Sequence, residues 1–226
     1  MQKLLILGDS IMKGVIYSDE RRRHSILSAS QRKLNTALEE AGVELENRAR
    51  FGATGETVLR ETERSLAAVQ PGTSVLFGFG GNDSDYDWAA VAADPEGEHM
   101  PRTAPEQLRS IWQKCIRTAK DAGCRIFATN LVPIDAEKYF RWISRDKDGN
   151  AILRWLGDIS MLYRWHEGYS DLLSGLCVEE GVSLVDLREP FLLSHRFKEL
   201  LCSDGIHPTA AGYGLVDGAI SRAVLA

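Results

Sequence analysis

The chain has 226 residues, of which 44% are apolar and 26% charged, and its formal net charge is -5 at pH 7. These values are typical of a globular protein and exclude collagen-like, disordered and coiled-coil chains. The acidic balance gives no sign of the basic face that nucleic-acid binding requires, so we expect no nucleic-acid partner.

The first predicted element is a strand at residues 3–7, a continuous apolar run that ends at Gly8. Such a run is typical of a strand that is buried on both faces of a parallel sheet. It is too short for the core of a signal peptide, and no window reaches the roughly 18 apolar residues of a membrane span. We therefore expect a protein without a leader or a membrane span that acts in the cytoplasm.

Similar apolar runs recur along the chain and alternate with helical patterns. The predicted strands lie at residues 3–7, 43–50, 75–79, 125–129 and 182–187, of which 43–50 is polar enough for a sheet edge. The predicted helices lie at residues 31–41, 56–70, 105–122, 158–180 and 209–224. This alternation predicts a doubly wound α/β sheet of about five parallel strands in a single domain, residues 1–226.

One segment, residues 135–157, interrupts the alternation. Two aromatic-rich runs at 139–143 and 151–155 flank Asp148-Gly149-Asn150. An Asp-Gly pair between two such runs indicates a hairpin, because both turn positions tolerate positive φ. We therefore predict a β-hairpin near 139–155, inserted between the fourth strand and the helix that follows it.

Several aromatic and basic residues allow two interpretations. Trp142 and Trp155, together with Trp88, either pack the predicted hairpin onto the body or form an aromatic wall over a substrate pocket. His166 is either a surface or packing residue or, if the hairpin acts as a lid, a residue that approaches the pocket. The basic run at residues 21–23 is either a solvated loop after the nucleophile or a region that attracts an anionic substrate.

Polar loops follow the predicted strands at the edge of the sheet where open parallel sheets bind their ligands. A serine hydroxyl becomes a nucleophile when a base removes its proton, and His207 is the candidate base for Ser10. Asp204, three residues earlier, can fix the imidazole tautomer. The oxyanion formed on attack needs donors, which the backbone N–H groups of Ser10 and Gly55 and the side-chain amide of Asn82 can supply.

In this order the loops resemble the sequence blocks of the SGNH, or GDSL-type, hydrolases. The matching blocks are Gly8-Asp9-Ser10-Ile11, Gly55-Glu56-Thr57, Gly81-Asn82-Asp83 and Asp204-Gly205-Ile206-His207-Pro208. The resemblance implies a three-layer α/β/α, flavodoxin-like fold and hydrolysis of esters or thioesters without a metal or other cofactor. It also implies Ser10 as nucleophile, His207 as base, Asp204 as its orienting partner, and Gly55 and Asn82 in the oxyanion hole.

For such a site we expect the substrate to be a small-molecule ester with a small acyl group, such as an acetylated carbohydrate. Thioesterase or lysophospholipase activity at the same site, and a catalytically idle ligand-binding domain, are the alternatives. A flavin- or nucleotide-binding protein would need a phosphate-binding glycine loop, and the sequence has neither common form. The four cysteines have no C-x-x-C spacing, so we expect reduced thiols and no metal site. Nothing in the sequence indicates an oligomeric state.

Overall fold

A computed structural model describes residues 2–226 of the chain. Its seven strands are β1 (Gln2–Gly8), β2 (Val15–Ser18), β3 (Arg23–Ile26), β4 (Val43–Asn47), β5 (Ser74–Gly78), β6 (Arg125–Thr129) and β7 (Ser183–Val185). Five of them form a parallel sheet in the order β4-β1-β5-β6-β7. The ten α-helices are α1 (Ser10–Lys13), α2 (Lys33–Glu40), α3 (Gly55–Leu66), α4 (Trp88–Ala93), α5 (Pro105–Asp121), α6 (Ala136–Ser144), α7 (Gly149–Leu156), α8 (Ser160–Glu180), α9 (Glu189–Leu192) and α10 (Ala210–Val224).

The sheet and its layers agree with the prediction of a three-layer α/β/α fold. Strand β1 pairs with both β4 and β5, and residues 4–7 are buried on both faces. Leu5 and Leu7 pack in a core cluster with α3, α5 and α8, whereas Leu4 and Ile6 pack with α2 and α10 on the opposite face. Strand β4 is an edge strand, as its polar sequence predicted.

The predicted β-hairpin near 139–155 is wrong, because this segment forms the helices α6 and α7. Asp148 does not start a turn between strands. Its side chain accepts hydrogen bonds from the backbone N–H groups of Asn150 and Ala151 and so caps α7. Asp135 caps α6 in the same way through the N–H of Lys138. The two helices pack with α4 in a third apolar cluster.

A hairpin does occur elsewhere, at a place where none was predicted. Strands β2 and β3 pair antiparallel outside the main sheet, with Tyr17 opposite His24. The basic run at residues 21–23 lies in its turn and at the start of β3, and Arg22 has a φ of 49°. The short helix α4, capped by Asp87, was also not predicted.

The four cysteines are not joined by disulfide bonds. Cys115, Cys177 and Cys202 are buried and Cys124 is half-buried. Burial raises the pKa of Cys115 to about 12 and the pKa values of Cys177 and Cys202 to about 11. Within residues 2–226, no helix has both the length and the apolar character needed to cross a membrane.

Candidate active site

Ser10 lies at the carboxyl end of β1, where the chain turns into the short helix α1. A Cβ atom on Gly8 would lie 2.3 Å from the carbonyl oxygen of Gly78, so this close approach to β5 requires glycine. The Oδ1 atom of Asp9 accepts the Ile11 N–H at 2.9 Å and caps α1. Ser10 is the first residue of that helix, so its own N–H has no partner within the helix. The serine is thereby held on rigid backbone with its N–H free.

Ser10, His207 and Asp204 form a continuous chain of hydrogen bonds. The Nε2 atom of His207 lies 2.9 Å from Ser10 Oγ, and its Nδ1 atom lies 2.7 Å from Asp204 Oδ2. Asp204 Oδ1 accepts the backbone N–H groups of Ile206 and His207, both at 3.1 Å. Burial alone would raise the pKa of Asp204, but these bonds and the charge of His207 hold it below its ordinary value. The carboxylate is therefore kept ionised and aimed at the imidazole.

A second histidine, which no sequence motif indicated, contacts the same carboxylate. His24 Nε2, on β3, lies 3.2 Å from Asp204 Oδ2. Its ring centroid is 5.0 Å from that of His207, and Phe51 stacks on His207 from another side at 6.1 Å. Burial, and then the nearby His207, lower the pKa of His24. A neutral His24 can donate one hydrogen bond to Asp204.

The expected oxyanion donors are only partly free. Asn82 donates one amide hydrogen from Nδ2 to the Ala53 carbonyl oxygen at 3.0 Å and keeps its second. The Gly55 N–H, by contrast, donates to both carboxylate oxygens of Asp83, at 2.9 and 3.0 Å. Gly55 therefore has no free N–H for an oxyanion. Gly52, three residues earlier with a φ of 69°, donates its N–H to no atom of residues 2–226 and directly follows Phe51.

Beside Ser10 opens a pocket of about 110 Å³, which Ser10, Asn82 and His207 help to line. Its far side is an aromatic wall that includes Trp88, Trp155 and Trp165. Trp88 is fixed by its indole N–H, which donates to Asp85 Oδ1 at 2.7 Å. Of the three tryptophans predicted to bind substrate, the structure places Trp88 and Trp155 in this pocket.

The third predicted tryptophan, Trp142, lies outside the pocket lining. Its ring contacts Tyr17 on the β2–β3 hairpin with centroids 4.7 Å apart, and the guanidinium of Arg145 lies 3.7 Å from its centroid. It also contacts His24 at 5.7 Å. Trp142 thus packs the inserted helices against the hairpin that carries His24.

The pocket also contains two buried ionisable groups, Asp9 and His166. Burial raises the pKa of Asp9 to about 7. Burial, and then the charge of Arg188, lower the pKa of His166 to about 3. His166 does approach the pocket, as the sequence allowed, although helices and not a hairpin form the neighbouring wall.

A comparison with protein families places the chain among known proteins. Residues 6–215 match the model of the GDSL-like lipase/acylhydrolase family. The chain belongs to this family.

Individual relatives of the family agree with this placement. The GDSL esterase/lipase CPRD49 of Arabidopsis thaliana is 29% identical over 158 residues, 70% of this chain and 56% of that protein. The match thus spans little more than half of the plant protein. Among solved structures, the lipase/acylhydrolase from Enterococcus faecalis has a TM-score of 0.66 at 18% identity, covering 98% of this chain and 94% of that one. The acetyl xylan esterase AlAXEase has a TM-score of 0.64 at 18% identity, covering 98% and 99%. At such identities these structures show a shared fold.

In this member of the GDSL-like family, one group of side chains is compact enough to hold a metal ion. Within residues 2–226, ligand atoms of His24, Asp204 and His207 all lie within 4.8 Å of one another. The hydrogen bonds described above already link each histidine to the carboxylate. These hydrogen bonds explain why the three side chains lie so close together, and no bound ion is needed to explain it.

Proposed function

We propose that this chain is a serine esterase that hydrolyses esters of small acyl groups through an acyl-enzyme on Ser10, without a metal. The observation that carries the proposal is the hydrogen-bonded chain from Ser10 through His207 to Asp204 in the lining of an apolar pocket. A serine, an imidazole and a carboxylate in this order form the arrangement that activates a hydroxyl nucleophile.

In the first half of the reaction, Ser10 Oγ attacks the ester carbonyl carbon while His207 Nε2 accepts the serine proton. Asp204 stabilises the imidazolium that forms, and it stays ionised throughout. When the tetrahedral intermediate collapses, the ester C–O bond breaks and His207 gives its proton to the departing alcohol. The acyl group is then an ester of Ser10.

The negative oxygen of the tetrahedral intermediate would be stabilised by donors that are already oriented. The Ser10 N–H and the second amide hydrogen of Asn82 are free for this task. The Gly55 N–H, which the sequence predicted as a third donor, is left out because it is engaged by Asp83. Such preorganised donors are worth about 2.7–4 kcal/mol each in related sites.

In the second half, a water molecule takes the place of the alcohol. His207 accepts a proton from this water as its oxygen attacks the acyl carbon, and the proton returns to Ser10 Oγ as the acid leaves. Both halves use the same base and the same donors, so one compact site serves the whole cycle.

The size of the pocket supports a small acyl group. Its volume of about 110 Å³ is less than that of a buried cavity of about 150 Å³ that holds a benzene ring. An acetyl group or another short acyl group fits within this volume. Acetylated carbohydrates are one class of substrate that meets this limit.

The test is a panel of p-nitrophenyl esters from acetyl to octanoyl, measured with the wild-type chain, Ser10→Ala, and Ser30→Ala as a matched control on the surface. We expect the highest kcat/KM for the shortest esters, no turnover above background for Ser10→Ala, and unchanged turnover for Ser30→Ala. A fluorophosphonate probe should label Ser10, as mass spectrometry of the digested protein would show. Turnover that survives in Ser10→Ala would refute the assignment of the nucleophile.

The same experiments separate the alternatives. A preference for octanoyl over acetyl esters would favour a lysophospholipase or a long-chain thioesterase. A wild-type chain that neither turns over any ester nor reacts with the probe would instead be an idle binding domain. Dialysis against EDTA should leave kcat/KM within about twofold, since none of the steps above uses a metal; loss of activity that Zn²⁺ restores would contradict the metal-free mechanism.

A further inference from the structure

A small gap in the pocket lining lies where Gly81 has no side chain. A Cβ atom on Gly81 would lie 3.9 Å from Asp9 Oδ2 on one side and 3.9 Å from His166 Nε2 on the other. Both flanking side chains are more than nine-tenths buried, with exposures of 4% for Asp9 and 8% for His166. Gly81, Asp9 and His166 all line the pocket beside Ser10. Two buried polar atoms therefore face one opening in an otherwise largely apolar cavity.

Both polar groups have unused capacity for hydrogen bonds. Asp9 uses Oδ1 to cap α1, and no side chain of residues 2–226 donates to its Oδ2. His166 makes no hydrogen bond through either ring nitrogen to residues 2–226, and its Nδ1 is completely buried. Most buried polar side chains have a partner, so the imidazole of His166, which bonds to no described residue, needs an explanation. A ligand group in the gap would lie next to His166 Nε2 and Asp9 Oδ2 and could bond to both atoms.

The hydrogen-bonding groups of Asp9 and His166 indicate which ligand group fits between them. A neutral imidazole with its proton on Nε2 donates into the gap, and a carboxylate oxygen accepts from it. A hydroxyl group, which donates one hydrogen bond and accepts another, is complementary to this pair. A methyl group in the same place would leave both buried atoms unpaired, which costs binding energy.

We propose that the gap formed by Gly81, Asp9 and His166 is a subsite for a hydroxyl group of the ester substrate. The inference rests on the proposed function and names the substrates more closely as hydroxylated short esters. Asp9 immediately precedes the nucleophile Ser10, and Gly81 immediately precedes Asn82. The hydroxyl therefore lies only a few bonds from the ester carbonyl. It belongs either to the acyl group or to the alcohol, on a carbon close to the ester bond.

Two pairs of isosteric esters test the proposal and separate these sources. The acyl arm compares p-nitrophenyl 3-hydroxybutyrate with p-nitrophenyl butyrate. The alcohol arm compares 2-hydroxyethyl acetate with propyl acetate, with acid release followed in a pH-stat. The readout is the ratio of kcat/KM for the hydroxylated ester to that for its partner. We expect a ratio of about tenfold or more in one arm, the size of effect that one well-placed hydrogen bond provides.

Two variants connect that ratio to the subsite. His166→Phe keeps an aromatic ring of similar size and removes both nitrogens. Gly81→Ala fills the gap with a methyl group at ordinary contact distance, and Gly81 has no positive φ that would resist the change. Both should lower the ratio to nearly one. His195→Phe, the same substitution at an exposed histidine, is the matched control and should keep the wild-type ratio.

The outcomes separate the subsite from the proposed function. A wild-type chain that hydrolyses the plain esters through Ser10 but shows no preference for hydroxylated esters in either arm would refute the subsite alone. A preference that persists in both His166→Phe and Gly81→Ala would also refute it. A chain that hydrolyses none of the four esters would refute the proposed function, and with it the subsite. Both kcat/KM values in each ratio come from the same variant. A variant that loses activity on all esters equally therefore keeps its ratio and cannot be mistaken for one that has lost the subsite.

Discussion

His24 Nε2 lies 3.2 Å from Asp204 Oδ2, the same oxygen that accepts the hydrogen bond of His207 Nδ1 at 2.7 Å. The carboxylate is thus held from two sides, by a turn in its own loop and by a hairpin that lies 180 positions away in sequence. A second donor on this oxygen fixes the position of the carboxylate and reduces the negative charge that His207 experiences.

Replacing His24 with leucine should therefore change the pH dependence of the reaction. Without the second donor, Asp204 attracts a proton on His207 more strongly, so the base is blocked at higher pH. We expect the acidic limb of the kcat/KM profile to move up by about half a unit to one unit, with kcat about tenfold lower. His24→Gln, which keeps an N–H donor, should recover part of both effects. Identical profiles for wild type and His24→Leu would show that His24 has no positioning role.

Asn82→Ala tests the oxyanion hole. Loss of a donor that acts in the transition state should lower kcat by roughly 10²-fold or more and change KM little. The lost bond to the Ala53 carbonyl should cost only about 1 kcal/mol of stability, so the variant should fold. Kinetics on p-nitrophenyl acetate and a thermal melt measure the two effects separately. Asn150→Ala, at an exposed position of α7, is the control, and unchanged turnover in Asn82→Ala would remove Asn82 from the mechanism.

Trp155→Ala tests the aromatic wall as the limit on acyl length. Removal of the indole enlarges the pocket, so the ratio of octanoyl to acetyl kcat/KM should rise by about tenfold or more. Trp142→Ala is a matched control, because Trp142 packs against the hairpin and does not line the pocket. It should leave the ratio unchanged even if it lowers turnover in general. Equal ratios in both variants would show that Trp155 does not set the acyl length.

Asp9→Asn tests how much the burial of an ionised Asp9 destabilises the folded chain. Because burial raises its pKa to about 7 from an ordinary value of 3.8, the folded chain binds this proton more tightly than the unfolded chain. The wild type therefore loses stability as the pH rises from about 4 to 7. A neutral amide avoids that loss, so the gain in Tm of Asp9→Asn over wild type should be about 6–13 °C larger at pH 8 than at pH 4.5. Asp171→Asn, at an exposed position of α8, is the control; a pH-independent difference for Asp9→Asn would contradict the prediction.

The positions of the site residues show what the sequence could predict. Ser10 and Asn82 lie two and four residues beyond the ends of β1 and β5, and the carboxyl ends of parallel strands lie at the same edge of the sheet. Asp204 and His207 are three residues apart in one turn, so their contact is local. His24 has no such signal, because it meets Asp204 through a hairpin that packs outside the main sheet. Likewise, only the folded chain shows that Asp83 occupies the N–H of Gly55.

The wrong prediction at residues 139–155 has a definite physical origin. An Asp-Gly pair is suited both to a tight hairpin turn and to a helix start, where aspartate is the cap and the next residue begins the helix. The residues that follow decide between them. Ala151, Ile152 and Leu156 are buried on α7, a spacing that one face of a helix provides and an alternating strand does not.

The cysteines described above make the chain convenient for chemical labelling. Three of its four thiols are buried, and burial raises the pKa values of all four, so little thiolate is available to alkylating reagents at neutral pH. A Ser10→Cys variant would place a new thiol next to the imidazole of His207. The four native cysteines would react only slowly with an alkylating reagent in comparison. The wild-type sequence thus needs no cysteine removal before a spectroscopic probe is attached at the centre of its pocket.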